Sequence, residues 1–176
     1  MLHTNTSNQI QMNNQNRRVY SSTTGRVAET RFQRAAEKLG LKVMKSENDQ
    51  DMHLHVDYWL SYDGGNNHGV DVKGNNLPDE IWCEFRNVNG DPGWMYGYAS
   101  IVAFDMPEEG GFCVVDTKDL RKYCEDNVED VVVNHKSNAY KKKYQRRNRQ
   151  DIITRIYLSD LKAISSYRVW EYNKDY

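Results

Sequence analysis

The stretch HVDYWLSYDGGNNHGVDVKG, from His55 to Gly74, decides the fold. Apolar and polar residues alternate before its glycines and again after them, as in β-strands with one face in a core. Extended back to Asp51, the first strand places Met52, Leu54, Val56, Tyr58, Leu60 and Tyr62 on one face. His53, His55, Asp57, Trp59 and Ser61 take the other. DGGNN, Asp63 to Asn67, is a glycine-rich connection of the kind that closes a hairpin. In the returning strand Val70 and Val72 face one way, and Asp71 and Lys73 face the other. Charges therefore sit at the centres of two adjacent strands, and the hairpin can bring Asp57 to the side that carries Asp71.

Two close carboxylates repel and raise one another's pKa. A hard divalent cation removes that conflict. Mg²⁺ prefers oxygen ligands, keeps several waters and commonly binds through one or two carboxylates plus a substrate phosphate. Lys73, two residues from Asp71 on the same face, is placed to position an attacking water or to stabilise charge on the phosphate.

Outward from the hairpin, TTGRVAETRFQRAAEKLG predicts a helix capped by Thr23 or Thr24 and stopped at Gly40. Ala28, Phe32, Ala35, Ala36 and Leu39 form its apolar stripe. Glu29 lies one step from that stripe, nearer the sheet than Glu37, so the helix delivers a third acid towards the pair. LKVMKS (Leu41 to Ser46) reads as a strand or connector, and Glu80 to Val88 as the third strand of the sheet. ASIVAFDM and GFCVVD add two more strands. TKDLRKYCEDNV is a helix capped by Thr117, and DIITRIYLSDLKAI is a strand followed by a short helix. The order predicts an α/β fold with a central mixed β-sheet flanked by helices. Residues 1–24, rich in Asn, Gln, Ser and Thr, predict a disordered polar arm, leaving residues 25–176 as one domain.

Lys and Arg total 24 against 25 Asp and Glu, so no net cationic field marks the chain as a nucleic-acid binder. The balance is uneven locally. HKSNAYKKKYQRRNR, His135 to Arg149, carries Lys136, Lys141, Lys142, Lys143, Arg146, Arg147 and Arg149, interleaved with Tyr140 and Tyr144. Such a run either grips a phosphate backbone or stands as a solvated loop. Cys83, Cys113 and Cys124 form no CxxC pair, so neither a disulfide framework nor a zinc knuckle is expected, and a reducing cytoplasm is the simplest compartment. No apolar run approaches the ~20 residues needed to span a bilayer, so no membrane partner is expected.

A helix bearing Glu29, a strand bearing Asp57, a hairpin, and a strand reading Asp71-Val72-Lys73 resembles the PD-(D/E)XK nuclease superfamily, whose core is restriction-endonuclease-like. Gly25 fits the helix entry of that group, and the resemblance covers roughly residues 25 to 105. Cys83 to Met106 also looks like a stretch of its small phage-encoded members, which implies the cytoplasm of a host cell. Val56 stands where the family has Pro, and Asp71 where Glu is more frequent. The resemblance implies Mg²⁺-dependent (or Mn²⁺-dependent) hydrolysis of phosphodiesters in DNA, less often in RNA. Asp57, Asp71 and the Val72 carbonyl would hold the metal, Lys73 would be the catalytic lysine and Glu29 a supporting acid. Many small relatives cut as dimers, which implies a homodimer.

Other signals stay open. Asp71 with Glu84-Phe85-Arg86 offers an alternative register, but Arg replaces such a lysine poorly; Glu84 shares the site's side and can assist, and Arg86 is a candidate DNA contact. His53 and His55 read as a transition-metal pair or as a polar strand face. His135 with Asn138 lacks the partner of a His/Asn nuclease. Trp94, in a Gly-flanked loop, either stacks on a base or wedge-opens a duplex, or folds back on the core.

Overall fold

The computed structural model describes residues 24–47, 54–75 and 77–172. The N-terminal arm, Thr23, Met52 and His53 lie outside them. Helix α1 spans residues 24–38 and ends where Gly40 turns at φ 78°. It is followed by β1 (Lys42–Lys45), β2 (Tyr58–Ser61), β3 (His68–Gly74), β4 (Glu80–Arg86), β5 (Ile101–Met106) and β6 (Gly111–Asp116). Then come α2 (Thr117–Asn127), β7 (Glu129–Val133), β8 (Lys142–Tyr144), β9 (Ile152–Tyr157), α3 (Leu158–Lys162) and β10 (Arg168–Glu171).

The fold is α/β. The larger sheet has the order β1-β2-β3-β5-β6-β10 and is mixed: β3 and β5 run parallel, while its other pairs are antiparallel. The hairpin turns as expected, with Asp63 and Gly64 at positive φ and the Gly65 N–H donating to Tyr62. A parallel pair needs a long crossover. Here residues 75–100 supply it, and that crossover contains β4 and a 3-10 turn at Trp94–Tyr96.

Two expectations need correction. Glu80 to Val88 is not the next strand of the central sheet; β4 is the edge of a second sheet, ordered β4-β9-β8-β7. Alternation along β4 shows which side chains are buried but cannot say which sheet the strand joins, and its partner β9 lies far along the chain. The central sheet is consequently flanked by α1 on one face and, on the other, by this second sheet together with α2. The first strand is also shorter than the alternation implies: it begins at Tyr58, and His55 takes a left-handed φ of 52° that ends any continuous strand.

Alternation divides the core. Ala28, Phe32, Ala35 and Ala36 of α1 are fully buried against Tyr58, Leu60, Val70, Val72, Ala103 and Phe112. Phe32 is the centre of this layer, stacked on Trp170 at 5.7 Å and edge-on to Phe112 at 5.4 Å. Leu39 is 50% exposed and falls outside the predicted stripe, because the helix has already ended. The other layer joins Ile81, Cys83 and Ile156 of the second sheet to Val102, Phe104 and Val115 of the first and to Leu120 and Cys124 of α2. The three cysteines are buried and free; a hydrogen bond to Cys124, then burial, push the Cys83 thiol up. Helix α2 starts at Asp116 without a side-chain cap, and Thr117, the expected cap, is its first residue with a buried, unpartnered hydroxyl. No helix among the described residues is long and apolar enough to cross a membrane.

Candidate active site

Strands β2 and β3 pair as Tyr58↔Val70, Trp59↔Gly69 and Leu60↔His68. Asp57 precedes Tyr58 and Asp71 follows Val70, so the two acids adjoin the last backbone pair of the hairpin; Asp71, between the α1-facing Val70 and Val72, points to the opposite face. The main-chain ladder ends with the Asp57 N–H donating to the Val70 carbonyl at 2.8 Å. Asp57 then extends it with its side chain: the Val72 N–H donates to Asp57 Oδ2 at 2.5 Å. The carboxylate is thereby fixed against the backbone of the strand that carries Asp71 and Lys73.

Asp71 is 4% exposed. Its β5 neighbour is Val102, so it sits within the core layer shared with the second sheet. Lys73 Nζ lies 2.7 Å from Asp71 Oδ2, and the contact lacks hydrogen-bond geometry: Oδ2 is buried and accepts no hydrogen bond. A buried carboxylate oxygen with spare acceptor capacity is costly unless another donor or a cation completes it. Above the ammonium, 4.9 Å away, lies the ring of Trp94. Trp94 is 7% exposed and edge-on to Phe104 at 6.1 Å, so its role here is to bound the Lys73 site from the core rather than to project into solvent.

Trp94 is held by a close backbone approach. Its N–H reaches Glu84 Oε2 at 3.4 Å, and a Cβ added to Gly93 would collide with the Glu84 carbonyl. Since backbone cannot swing aside, Gly93→Ala should destabilise the protein by about 1–3 kcal/mol in urea denaturation. It should also shift Trp94 from Lys73, read as a changed tryptophan emission.

The helix acid is placed differently from the strand acids. Glu29 Oε2 pairs with Lys45 of β1 at 2.8 Å, on the α1 side of the sheet. Burial pushes the Tyr58 phenol up, Lys45 opposes, and the charges of Glu29 and Asp57 both add, so the two acids flank this tyrosine. Glu29 thus reaches the site's neighbourhood through Tyr58, with its carboxylate engaged by Lys45.

Within the basic run, most predicted DNA contacts are engaged by acids. Lys141 pairs with Asp160 at 2.8 Å, Lys142 with Glu129 at 3.6 Å and Lys143 with Asp130 at 2.6 Å. Arg146 binds the fully buried Asp151. The run is neither a solvated loop nor a free cationic comb; part of it is strand β8. Lys136, Arg147 and Arg149 pair with no acid among the described residues. Arg147 and Arg149 line, with Arg146, a polar cavity of about 740 Å³. Arg86 is exposed at the end of β4, beside an isolated bridge to Pro92. His135 accepts from the Ser137 N–H and caps a 3-10 turn, a local structural role.

Sequence reasoning passed over Trp82 and Arg155, and took Tyr144 only as part of the basic run. All three line a cavity of about 760 Å³ on the outer face of the second sheet, together with Glu84 and Trp94. The signal was present as alternation in β4, where Ile81 and Cys83 are buried and Trp82 and Glu84 are not. The missing information was that this outer face carries a cavity whose wall includes Trp94, the ring that meets Lys73.

Among the described residues no group of three or more His, Cys, Asp and Glu side chains converges as a metal centre. A cation at this site would be held by Asp57, Asp71 and the Val72 carbonyl, hard oxygens suited to Mg²⁺, and would compete with the Lys73 ammonium for Asp71 Oδ2. Comparison with family models found no match, and comparisons with curated proteins and with solved structures found none either.

Proposed function

We propose that the protein is a metal-dependent nuclease that hydrolyses phosphodiester bonds in DNA, of the PD-(D/E)XK type. What supports this reading is the attachment of the Asp57 carboxylate to the Val72 N–H of the strand that carries the buried Asp71 and, 2.7 Å from it, Lys73. When bound, Mg²⁺ supplies a Lewis acid for the phosphate and lowers the pKa of a coordinated water. Asp57, fixed by the Val72 N–H, orients one side of the site. Asp71 supplies charge from within the core layer. Lys73, confined between Asp71 and the Trp94 ring, presents an ammonium to the phosphate or to the attacking water. Glu84 borders the site through Trp94.

Plain, flapped and branched DNA, with RNA counterparts, incubated with Mg²⁺ or Mn²⁺ tests the proposal: cleavage is expected on at least one, and none on any of them would sink it. Lys73→Met keeps an apolar stem on Trp94 and removes the charge. It should lower the cleavage rate about a hundredfold with little change in substrate affinity. If cleavage per folded molecule is unchanged, Lys73 is only Asp71's structural counter-ion.

A non-cleaving nucleic-acid-binding module is the second reading, since fold does not determine activity. The 2.7 Å contact of Lys73 with Asp71 favours it, because the buried charge already has a counter-ion.

A further inference from the structure

We infer that the uncovered face of the second sheet is a binding track for unpaired nucleotides, with bases on Trp82 and Tyr144 and phosphates carried towards Arg147 and Arg149. Three strands, β4, β9 and β8, set its centre. In the β4–β9 register Trp82 lies opposite Arg155, and Glu84 lies opposite Ile153, which in turn pairs with Tyr144 of β8. Alternation therefore sends Trp82, Arg155, Ile153 and Tyr144 to one face, away from the core that takes Ile81, Cys83 and Ile156. The Trp82 and Tyr144 rings lean together, with centroids 6.1 Å apart, as half-buried walls of the cavity. Among the described residues no helix or sheet is packed over them.

The chemistry of this face selects the occupant. Aromatic faces beside guanidinium groups stack bases and hold phosphates without reading sequence, the combination used for single-stranded nucleic acid. Arg155 is the most telling cation. It contacts Glu80 at 2.9 Å and the Ser137 carbonyl at 3.1 Å, yet its Nε is buried and lacks a hydrogen-bond partner. Glu80 is thereby neutralised and Arg146 is held by Asp151, so Lys136 is the lining cation that pairs with no acid among the described residues, set against Glu84. Arg146 also belongs to the neighbouring cavity lined by Arg147 and Arg149, so the two hollows share a wall. At the opposite end Trp94 lines the track, and its ring meets Lys73. A strand lying here would run from a cationic, amide-rich end past stacked bases to the carboxylates.

Duplex DNA fits this face poorly. Its bases are stacked inward, so Trp82 and Tyr144 would meet only backbone or groove edges. The inference rests on the nuclease reading only for the fate of the bound strand; binding itself is independent of it.

The test uses the full chain in EDTA, so no cleavage enters the readout. Titration with a short oligothymidylate and an oligouridylate, which separates DNA from RNA, should quench tryptophan emission, and a blunt duplex of equal length should bind at least tenfold more weakly. Trp82→Leu, which keeps apolar bulk but loses the π face, and Tyr144→Leu should each weaken single-strand binding about five- to hundredfold. Duplex binding should stay unchanged. Equal affinity for duplex and single strands, or Leu variants that bind as the parent does, would overturn the track. Circular dichroism confirms that the variants are folded, and Arg147→Ala, on the surface, provides an independent arm: it should reduce the salt slope of binding by about one. An unchanged slope counts against the phosphate path. Loss of the track with cleavage intact would leave the nuclease reading standing, and binding without cleavage would do the reverse.

Discussion

Asp71→Asn is expected to lower metal-dependent cleavage about a thousandfold, while oligonucleotide binding in EDTA stays within about threefold of the parent. The substitution is nearly isosteric, so it leaves the packing against Val102 in place and removes only charge. Asp71 is the appropriate probe because it is the more buried acid and because one of its oxygens accepts no hydrogen bond. The amide offers a metal one neutral oxygen in place of a carboxylate, a weak substitute for a hard cation. Fold is checked by circular dichroism and tryptophan emission, and the rate by single-turnover cleavage with saturating Mg²⁺. A rate within tenfold of the parent would remove Asp71 from the chemistry and leave the ion pair with Lys73 as a structural feature.

Lys141→Met should destabilise the protein by about 3 kcal/mol near neutral pH and leave nucleic-acid binding per folded molecule unchanged. Asp160, 8% exposed, is a hub: Lys141 lies 2.8 Å away, the Tyr123 hydroxyl donates at 2.7 Å and the Tyr157 N–H at 2.9 Å. Burial by itself would raise this carboxyl. Hydrogen bonds from Lys141, the Tyr157 backbone and Tyr123 overcome it and hold the pKa below the ordinary value of 3.8. The same contact, chiefly through Asp160, raises the Lys141 ammonium above its ordinary value of 10.5. The pair's contribution is therefore complete between those ordinary values. It is lost as pH falls through the depressed Asp160 pKa, and again as pH rises through the raised Lys141 pKa. In the variant, burial acts on Asp160 without the ammonium, so the carboxyl protonates at higher pH and the gap between variant and parent narrows in acid. Urea midpoints measured from pH 3 to 8 check this. A constant gap over that range, or none, would show that Lys141 is not holding Asp160 charged.

What could be read from the chain follows from the range of the signals. The glycines at 64 and 65 and the valines at 70 and 72 are local, and they located the hairpin and the facing of Asp71 and Lys73. The α1 stripe was equally local and failed only at Leu39, where the helix end changes direction. A helical wheel gives Glu29 an angle and not a partner; that partner is Lys45, sixteen residues on. The cations from Lys141 to Arg146 looked like one patch, since their acids lie elsewhere: Glu129, Asp130, Asp151 and Asp160. Strands β7, β8 and β10 are short and polar at many positions, so their existence depends on non-local partners that no period reveals. The same is true of the second sheet, whose members β4 and β9 are brought together across most of the C-terminal half.

The crossover between β3 and β5 has a kinetic consequence. Because β4 is inserted in the loop that must close before those two parallel strands can align, the sheets are interlocked. The chain must pay the entropy of a long closure before the pairing beneath Asp71 and Lys73 is rewarded, which makes for slow, all-or-none folding. Synthesis reaches Lys73 early, yet the carboxylates acquire their setting only after β9, near the far end of the chain, has docked. A chain cut short before β9 would therefore leave β4 without its partner strand.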